Sequence, residues 1–194
     1  MGSNMTTDKL TIEFEPQTLA DIFLAIHMCE VEISGLARVI RTGKRFRVFG
    51  EGLIFKQTCS SIRTEPDIES LNLWFNDMAS SENQEKISKM ESYQLWWHSH
   101  VWFDVIFSGT DFRTMKNLVS GGDWWLALVA NKKNEVCLAL VKQKLGFLRY
   151  EEAPITLCPE VSPNEFKKIM ITREEIIRQA IKTNVEMVSD SIRK

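Results

Sequence analysis

The sequence predicts an α+β domain, and three observations carry that prediction. Two stretches read as β-hairpins around polar turns. Glu30–Ile40 pairs with Phe46–Phe49 across Thr42-Gly43-Lys44-Arg45, and Trp124–Ala130 pairs with Val136–Val141 across Asn131-Lys132-Lys133-Asn134. Apolar residues recur at helical spacing from Pro16 to Met28 and again within about 162–192. Between these regions, a strand ending in His98-Ser99-His100 runs toward a helix start near Asp111. At 194 residues the chain reads as one domain, residues 5–194. A chain of this size buries roughly 70% of its unfolded surface and needs no staples. Met1-Gly2-Ser3-Asn4, ahead of a second methionine, reads as a cloning remnant and stands outside the domain.

Leu10 to Phe14 alternates in hydrophobicity, the pattern of a half-buried strand. Pro16 opens the first helix, and Leu19, Ile22, Phe23 and Ile26 form its stripe. His27 lies one residue past that stripe with no neighbour at ligand spacing, and so reads as solvated or core-edge. Gly35, inside a strand, marks a bulge or the close approach of another backbone. Arg38, Arg41, Lys44, Arg45 and Arg47 gather at a hairpin tip, where charges are solvated. Leu53 to Cys59 reads as a further strand. Glu65-Pro66-Asp67 starts a helix with Ile68, Leu71, Leu73, Trp74, Phe75 and Met78 on one side. Ser80 to Glu85 reads as a polar loop or a frayed helix end. Asp111 to Val119 is expected to be helical and Gly121-Gly122 to stop it.

Phe147 to Thr156 reads as a strand. Ser162-Pro163-Asn164-Glu165 combines a cap, a first-turn proline and a third-position glutamate. Thr172-Arg173-Glu174-Glu175 repeats the capping pattern, so two C-terminal helices are expected within about 162–192. The second carries Ile177, Ile181, Val185, Val188 and Ile192, a stripe that docks on its own domain or on a partner or second copy.

Composition narrows the function classes. The 44% apolar and 26% charged fractions suit a water-exposed globular chain. A net charge of −2 argues against a general nucleic-acid binder. Cys29, Cys59, Cys137 and Cys158 form no CxxC pair, so neither a zinc ribbon nor a redox motif is indicated, and free thiols in the cytoplasm are expected. The sequence holds no membrane-spanning run and no secretory leader pattern.

The chemistry concentrates at residues 96–111. Alternate strand residues share a face, so His98 and His100 point one way while Trp97 and Ser99 point the other. Asp111, in the first turn of the following helix, is placed to be a third ligand. Two imidazoles and a carboxylate leave an open position on zinc, the pattern of a catalytic site. Ser108, one helical turn earlier, can set a hydroxyl beside the metal as an oxyanion donor. A base is needed too, and Glu30 and Glu32 are both candidates because i and i+2 share a strand face. Ser108-x-x-Asp111 equally fits a capping box with no metal involved.

This arrangement resembles the JAMM motif of the JAB1/MPN/Mov34 metalloprotease family, in its compact prokaryotic or phage-like form. His98-Ser99-His100, seven residues from Val101 to Phe107, then Ser108-Gly109-Thr110-Asp111 match its defining positions. Glu32-Ile33-Ser34-Gly35-Leu36 matches its upstream element, which selects Glu32 over Glu30. The likeness spans roughly residues 10 to 145. It implies an α/β/α-type MPN/JAB fold, cytidine deaminase-like, with a strongly curved mixed sheet flanked by helices. It implies one Zn2+ per chain on His98, His100 and Asp111, Glu32 as general base and Ser108 as oxyanion donor. The implied activity is hydrolysis of a peptide or isopeptide bond, including bonds at the C-terminus of a ubiquitin-like protein. Where the family has Pro after the second histidine, this chain has Val101. Trp97, Val101, Trp102 and Phe103 are candidate substrate contacts, although aromatics in such a loop serve equally as core. The alternatives are a non-catalytic MPN scaffold that dimerises or binds a partner through the C-terminal helix, and a peptidase acting on a phage or cell-wall peptide. No nucleic-acid or membrane partner is expected.

Overall fold

A computed structural model describes residues 10–120, 123–144 and 147–189. Its secondary structure runs β1 (Thr11–Phe14), α1 (Pro16–Met28), β2 (Ser34–Thr42), β3 (Arg45–Leu53), β4 (Gln57–Ser60), β5 (Arg63–Pro66), α2 (Ile68–Ala79), α3 (Gln84–Glu91), β6 (Tyr93–Ser99), α4 (Gly109–Ser120), β7 (Trp124–Ala130), β8 (Val136–Lys144), β9 (Phe147–Glu152), β10 (Ile155–Leu157), α5 (Pro163–Asn184) and β11 (Val185–Met187). The fold is α+β, with a strongly curled, mixed eight-stranded sheet in the order β10-β1-β3-β2-β6-β7-β8-β9. A second sheet has the order β11-β4-β5. Among the described residues, no helix is long and apolar enough to cross a membrane.

Both faces of the large sheet are covered. On one, Ile22 and Ile26 of α1 and Ile177 and Ile181 of α5 pack with Phe14, Trp97, Leu126 and Leu128 of the strands. On the other, Met115 and Val119 of α4 join Leu36, Trp96, Ala127 and Val129, with Trp74 and Phe75 of α2 against them. Burying both faces explains the near-continuous apolar runs of the central strands β6 and β7.

Several elements differ from the sequence expectation. Residues 30–33 precede β2 instead of belonging to it, because Glu32 N–H donates to the Ser60 carbonyl (2.8 Å). The strand expected over 53–59 is divided, since β3 ends at Leu53 and β4 starts at Gln57. The expected strand 147–156 breaks at Ala153-Pro154, and its last residues cross to pair in parallel with β1 as β10. The polar stretch at 80–85 leads into α3, whose start is capped by the Asn83 carboxamide accepting from Glu85 N–H (2.8 Å).

The C-terminal region is one helix, not two. The Ser162–Glu165 capping box forms, but Thr172 sits inside α5 with its hydroxyl donating to the Ile169 carbonyl (2.8 Å). Tertiary packing overrides the second capping signal. Arg173 reaches across to the fully buried Asp21 of α1, with Nε–Oδ1 at 2.7 Å and a second nitrogen on Oδ2 at 2.9 Å. Burial pushes the Asp21 carboxyl up despite this partner, while the same contact raises Arg173. Both rise, but for different reasons: Asp21 has given up its water, whereas Arg173 gains a carboxylate partner. The helix ends at Asn184, so Val185 is not helical. Val185–Met187 instead pairs in parallel with β4. The docked stripe is Ile177 and Ile181 on α1, while Val188 follows β11. Residues 1–4, Gly121-Gly122 and Ile192 lie outside the described residues.

Gly35 fulfils the expectation of close approach. A Cβ there would lie 2.2 Å from the Leu53 carbonyl oxygen and 2.3 Å from the Trp97 ring. Gly35→Ala is expected to lower stability by about 3 kcal/mol through forced overpacking. Urea unfolding measures this, and an unchanged midpoint would show that the strand pair yields freely.

Candidate metal centre

β6 delivers His98, the residue just past its end is His100, and α4 supplies the carboxylate. His98 and Trp96 share a face of β6, and their rings stack at 4.3 Å with 13° between planes. Trp97 and Ser99 take the opposite face, as strand alternation requires. Beyond Ser99 the chain leaves the strand, but His100 N–H still donates to the Ala130 carbonyl of β7 (2.9 Å). Helix α4 then begins with a reciprocal cap. Ser108 N–H donates to Asp111 Oδ2 (2.6 Å) and Asp111 N–H to Ser108 Oγ (3.2 Å). The capping box and the metal arrangement are therefore one structure, because the cap aims Asp111 at the histidines.

His98 Nε2 lies 3.2 Å from Asp111 Oδ1 and 3.2 Å from His100 Nε2, and His100 Nε2 lies 3.6 Å from Asp111 Oδ2. Ligands held tetrahedrally on zinc at about 2.0–2.1 Å are themselves about 3.3 Å apart, close to the separations of the two imidazole nitrogens from each other and of each from one carboxylate oxygen. His100 Nδ1–H donates to the Asp104 carbonyl (2.8 Å), which turns a lone pair on Nε2 toward the site. His98 differs, since its buried Nδ1 has no hydrogen-bond partner among the described residues. Its ring is held by the Trp96 stack and the Phe107 edge instead. The residues present fit a divalent cation.

Electrostatics favour the ligating form of His98 and Asp111 and oppose that of His100. Burial holds the His98 imidazole below its usual value, against the pull of Asp111. Burial also opposes charge on His100, but the hydrogen bonds to Asp111 and the Asp104 carbonyl, with the Glu32 charge nearby, hold it above its usual value. Burial alone would raise Asp111, yet the contacts from His100, His98 and Ser108 keep it well below the ordinary carboxylate range.

Glu32, Ser108, His98, His100 and Asp111 line one cleft of about 590 Å³, a volume in the range of ligand sites. Glu30 points away and pairs with Lys132 (3.2 Å), so the two glutamates do not share the site. Of the four candidate substrate contacts, only Phe103 lines the cleft. Its carbonyl accepts from the Asn131 carboxamide (2.9 Å), which pins the loop. Trp97 is fully buried in the α1/α5 core. Val101 is buried too, with φ at +45° and its carbonyl accepting from Lys132 N–H (2.7 Å). Trp102 is exposed beside the Lys132 ammonium, 5.9 Å from its ring centre.

Sequence reasoning missed Ile62 of the β4–β5 turn, Arg63 and Thr64 of β5 and Thr110, Arg113 and Thr114 of α4, which with Trp96 complete the lining. The α4 set was legible, since 110, 113 and 114 share a helical face next to the Ser-x-x-Asp cap. The β5 pair gave no signal in so short and polar a strand. A larger hollow of about 670 Å³, walled by Ile106, Phe107, Phe112 and Tyr150, lies behind the Phe107 side and holds none of these groups.

No family model matches the chain, and no curated protein matches it. Among solved structures it is similar to the solution structure of protein DSY2949 from Desulfitobacterium hafniense, at 14% identity and a TM-score of 0.43, covering 80% of this chain and 97% of that one. A likeness at that level carries nothing about function.

Metal retention should follow the proton on His100. His98 stays neutral and Asp111 ionised through the weakly acidic range, so protonation of His100 is what competes with a cation. Zinc is expected to be held at neutral pH and released as pH falls through the raised His100 value, that is, starting above about 6.5. Equilibrium dialysis with elemental analysis checks this, and pH-independent retention from 5 to 8 would contradict it. Asp111→Asn should weaken zinc by more than about 100-fold.

Proposed function

We propose that this protein is a zinc-dependent metallo-(iso)peptidase of JAMM type, hydrolysing a peptide or isopeptide bond, with the C-terminus of a ubiquitin-like protein as one candidate substrate. One observation carries the reading: Glu32 reaches the cleft that holds His98, His100, Asp111 and Ser108, although more than sixty residues separate it from them in the chain. The capping account of Ser108 and Asp111 alone gives no reason for that convergence.

His98, His100 and Asp111 would hold the zinc. When bound, zinc brings the pKa of a water to about 7 and polarises a carbonyl oxygen. The remaining work falls to this chain's own groups. The Glu32 carboxylate takes a proton from the attacking water and returns it to the departing amine nitrogen. Ser108 Oγ accepts from Asp111 N–H, which leaves its hydroxyl hydrogen free to donate to the oxyanion of the substrate. The buried Trp96 and Phe107 rings keep water from the His98 side of the site. Free Cys29, Cys59, Cys137 and Cys158 support a cytoplasmic location.

A panel of ubiquitin-like fusions and peptides, with wild-type and Glu32→Gln protein, tests the reading. Glu32→Gln should keep zinc and lose about 10²- to 10⁴-fold in kcat. Ser108→Ala should lose about 10²- to 10³-fold in kcat. If wild type and Glu32→Gln behave alike on every substrate while zinc is bound, the enzyme reading fails and a scaffold role takes its place.

A further inference from the structure

We propose that the cleft selects an acidic peptide segment, and that Arg63 and Arg113 read it. The inference rests on the hydrolase reading and names its substrate class. The charged groups lining the cleft are Glu32, Asp111, Arg63 and Arg113 together with the imidazoles of His98 and His100. Asp111 is committed to the two imidazoles, and a divalent cation there would more than cancel its charge. Glu32 is then the one acidic group of the lining that faces two guanidiniums and the cation.

Each guanidinium has donors to spare. Arg113 gives one nitrogen to Thr110 Oγ1 (3.0 Å) and has no carboxylate partner among the described residues. A guanidinium offers five N–H donors in a planar fork that matches a carboxylate in bidentate fashion. Arg63 pairs with Glu65 on the same edge strand, but Glu65 is not part of the lining, so the pair leaves guanidinium donors on the cleft side. Thr64, Thr110 and Thr114 add hydroxyls around them.

Position matters as much as charge. Arg113 follows Asp111 by two residues on α4, a rise of about 3 Å along the helix. Residues two apart lie on different helical faces, so Arg113 meets the cleft on the side of Thr110 and Thr114 and not on that of Asp111. Arg63 enters from a different element, the β4–β5 hairpin. The two guanidiniums could thus engage acidic groups along the bound segment, while a lysine- or arginine-rich segment would meet like charge.

Two fluorescein-labelled nonapeptides with the same central Gly-Gly amide, one flanked by Asp and Glu and one by Lys, provide the probe. Anisotropy titrations use zinc-loaded Glu32→Gln protein, with zinc content and far-UV circular dichroism as controls for every variant. The acidic peptide should bind at least about tenfold more tightly than the basic one. That preference should shrink as NaCl rises from about 50 to 200 mM, in line with ionic screening. Arg63→Glu and Arg113→Glu should each reduce it, and the double variant should reverse it. Equal binding of the two peptides overturns the proposal, as does tighter binding of the basic one or a preference unchanged in a folded, zinc-loaded double variant. The two readings fail separately. Acid-selective binding without cleavage of any substrate sinks the hydrolase and leaves the selection standing, whereas efficient cleavage of basic segments alone sinks the selection and leaves the hydrolase.

Discussion

The antiparallel register of β2 on β6 is the constraint on which the cleft depends. Ser34 stands opposite His98 and Gly35 opposite Trp97. The chain just ahead of β2 is tied at the same place, with Ser99 N–H donating to the Ile33 carbonyl (2.8 Å) and Ile33 N–H donating to Ser99 Oγ (3.0 Å). Ser99, the residue between the two histidines, thereby fixes the neighbour of Glu32 on the face away from the metal ligands. A slip of one residue would turn every side chain of β6 to the opposite face, sending Trp97 to the cleft and His98 into the core. Gly35 permits the register because the Trp97 indole lies where a Cβ would be.

A buried carboxamide extends that control to the cleft wall. Gln57 Oε1 accepts from Ser34 N–H (2.9 Å) and the Thr64 hydroxyl (2.6 Å), and its Nε2 donates to the carbonyls of Ser34 (2.8 Å) and Phe55 (3.0 Å). One side chain thus fastens the small sheet to the start of β2. Such a network, satisfied throughout, rigidifies what it joins. β6 also has the parallel neighbour β7, and the ligands gather where the carboxyl ends of that pair open, the usual place for a site on a parallel ladder.

The parts legible in the sequence were those set by local geometry. Strand alternation placed His98 and His100 together, and the helix-start pattern at Ser108 placed Asp111. Both hairpins and α1 followed from apolar period and turn chemistry. Choosing Glu32 over Glu30 needed resemblance, since spacing alone treats them alike. What stayed hidden depended on distant partners. Thr172 reads as a cap, but Arg173 is drawn to Asp21 and the helix runs through. Val185 extends the apolar stripe, but β4 offers it an edge. Trp97 belongs to the core through strand parity. Val101 is the clearest case. Its φ of +45° is rare for a β-branched residue and closed to proline, whose φ is locked near −65°, so this loop leaves His100 along a path that a proline could not take.

The spacing of the groups along the chain also bears on the order in which the site can assemble. His98 and Asp111 close a loop of 13 residues, while Glu32 joins His98 across 66. By polymer statistics the longer closure costs about 1.4 kcal/mol more in chain entropy. His98 and Asp111 are thus joined through a short β-turn-α stretch, whereas Glu32 arrives only with the long-range pairing of β2 and β6. The imidazole–carboxylate cluster and the complete cleft are therefore separable along the folding coordinate.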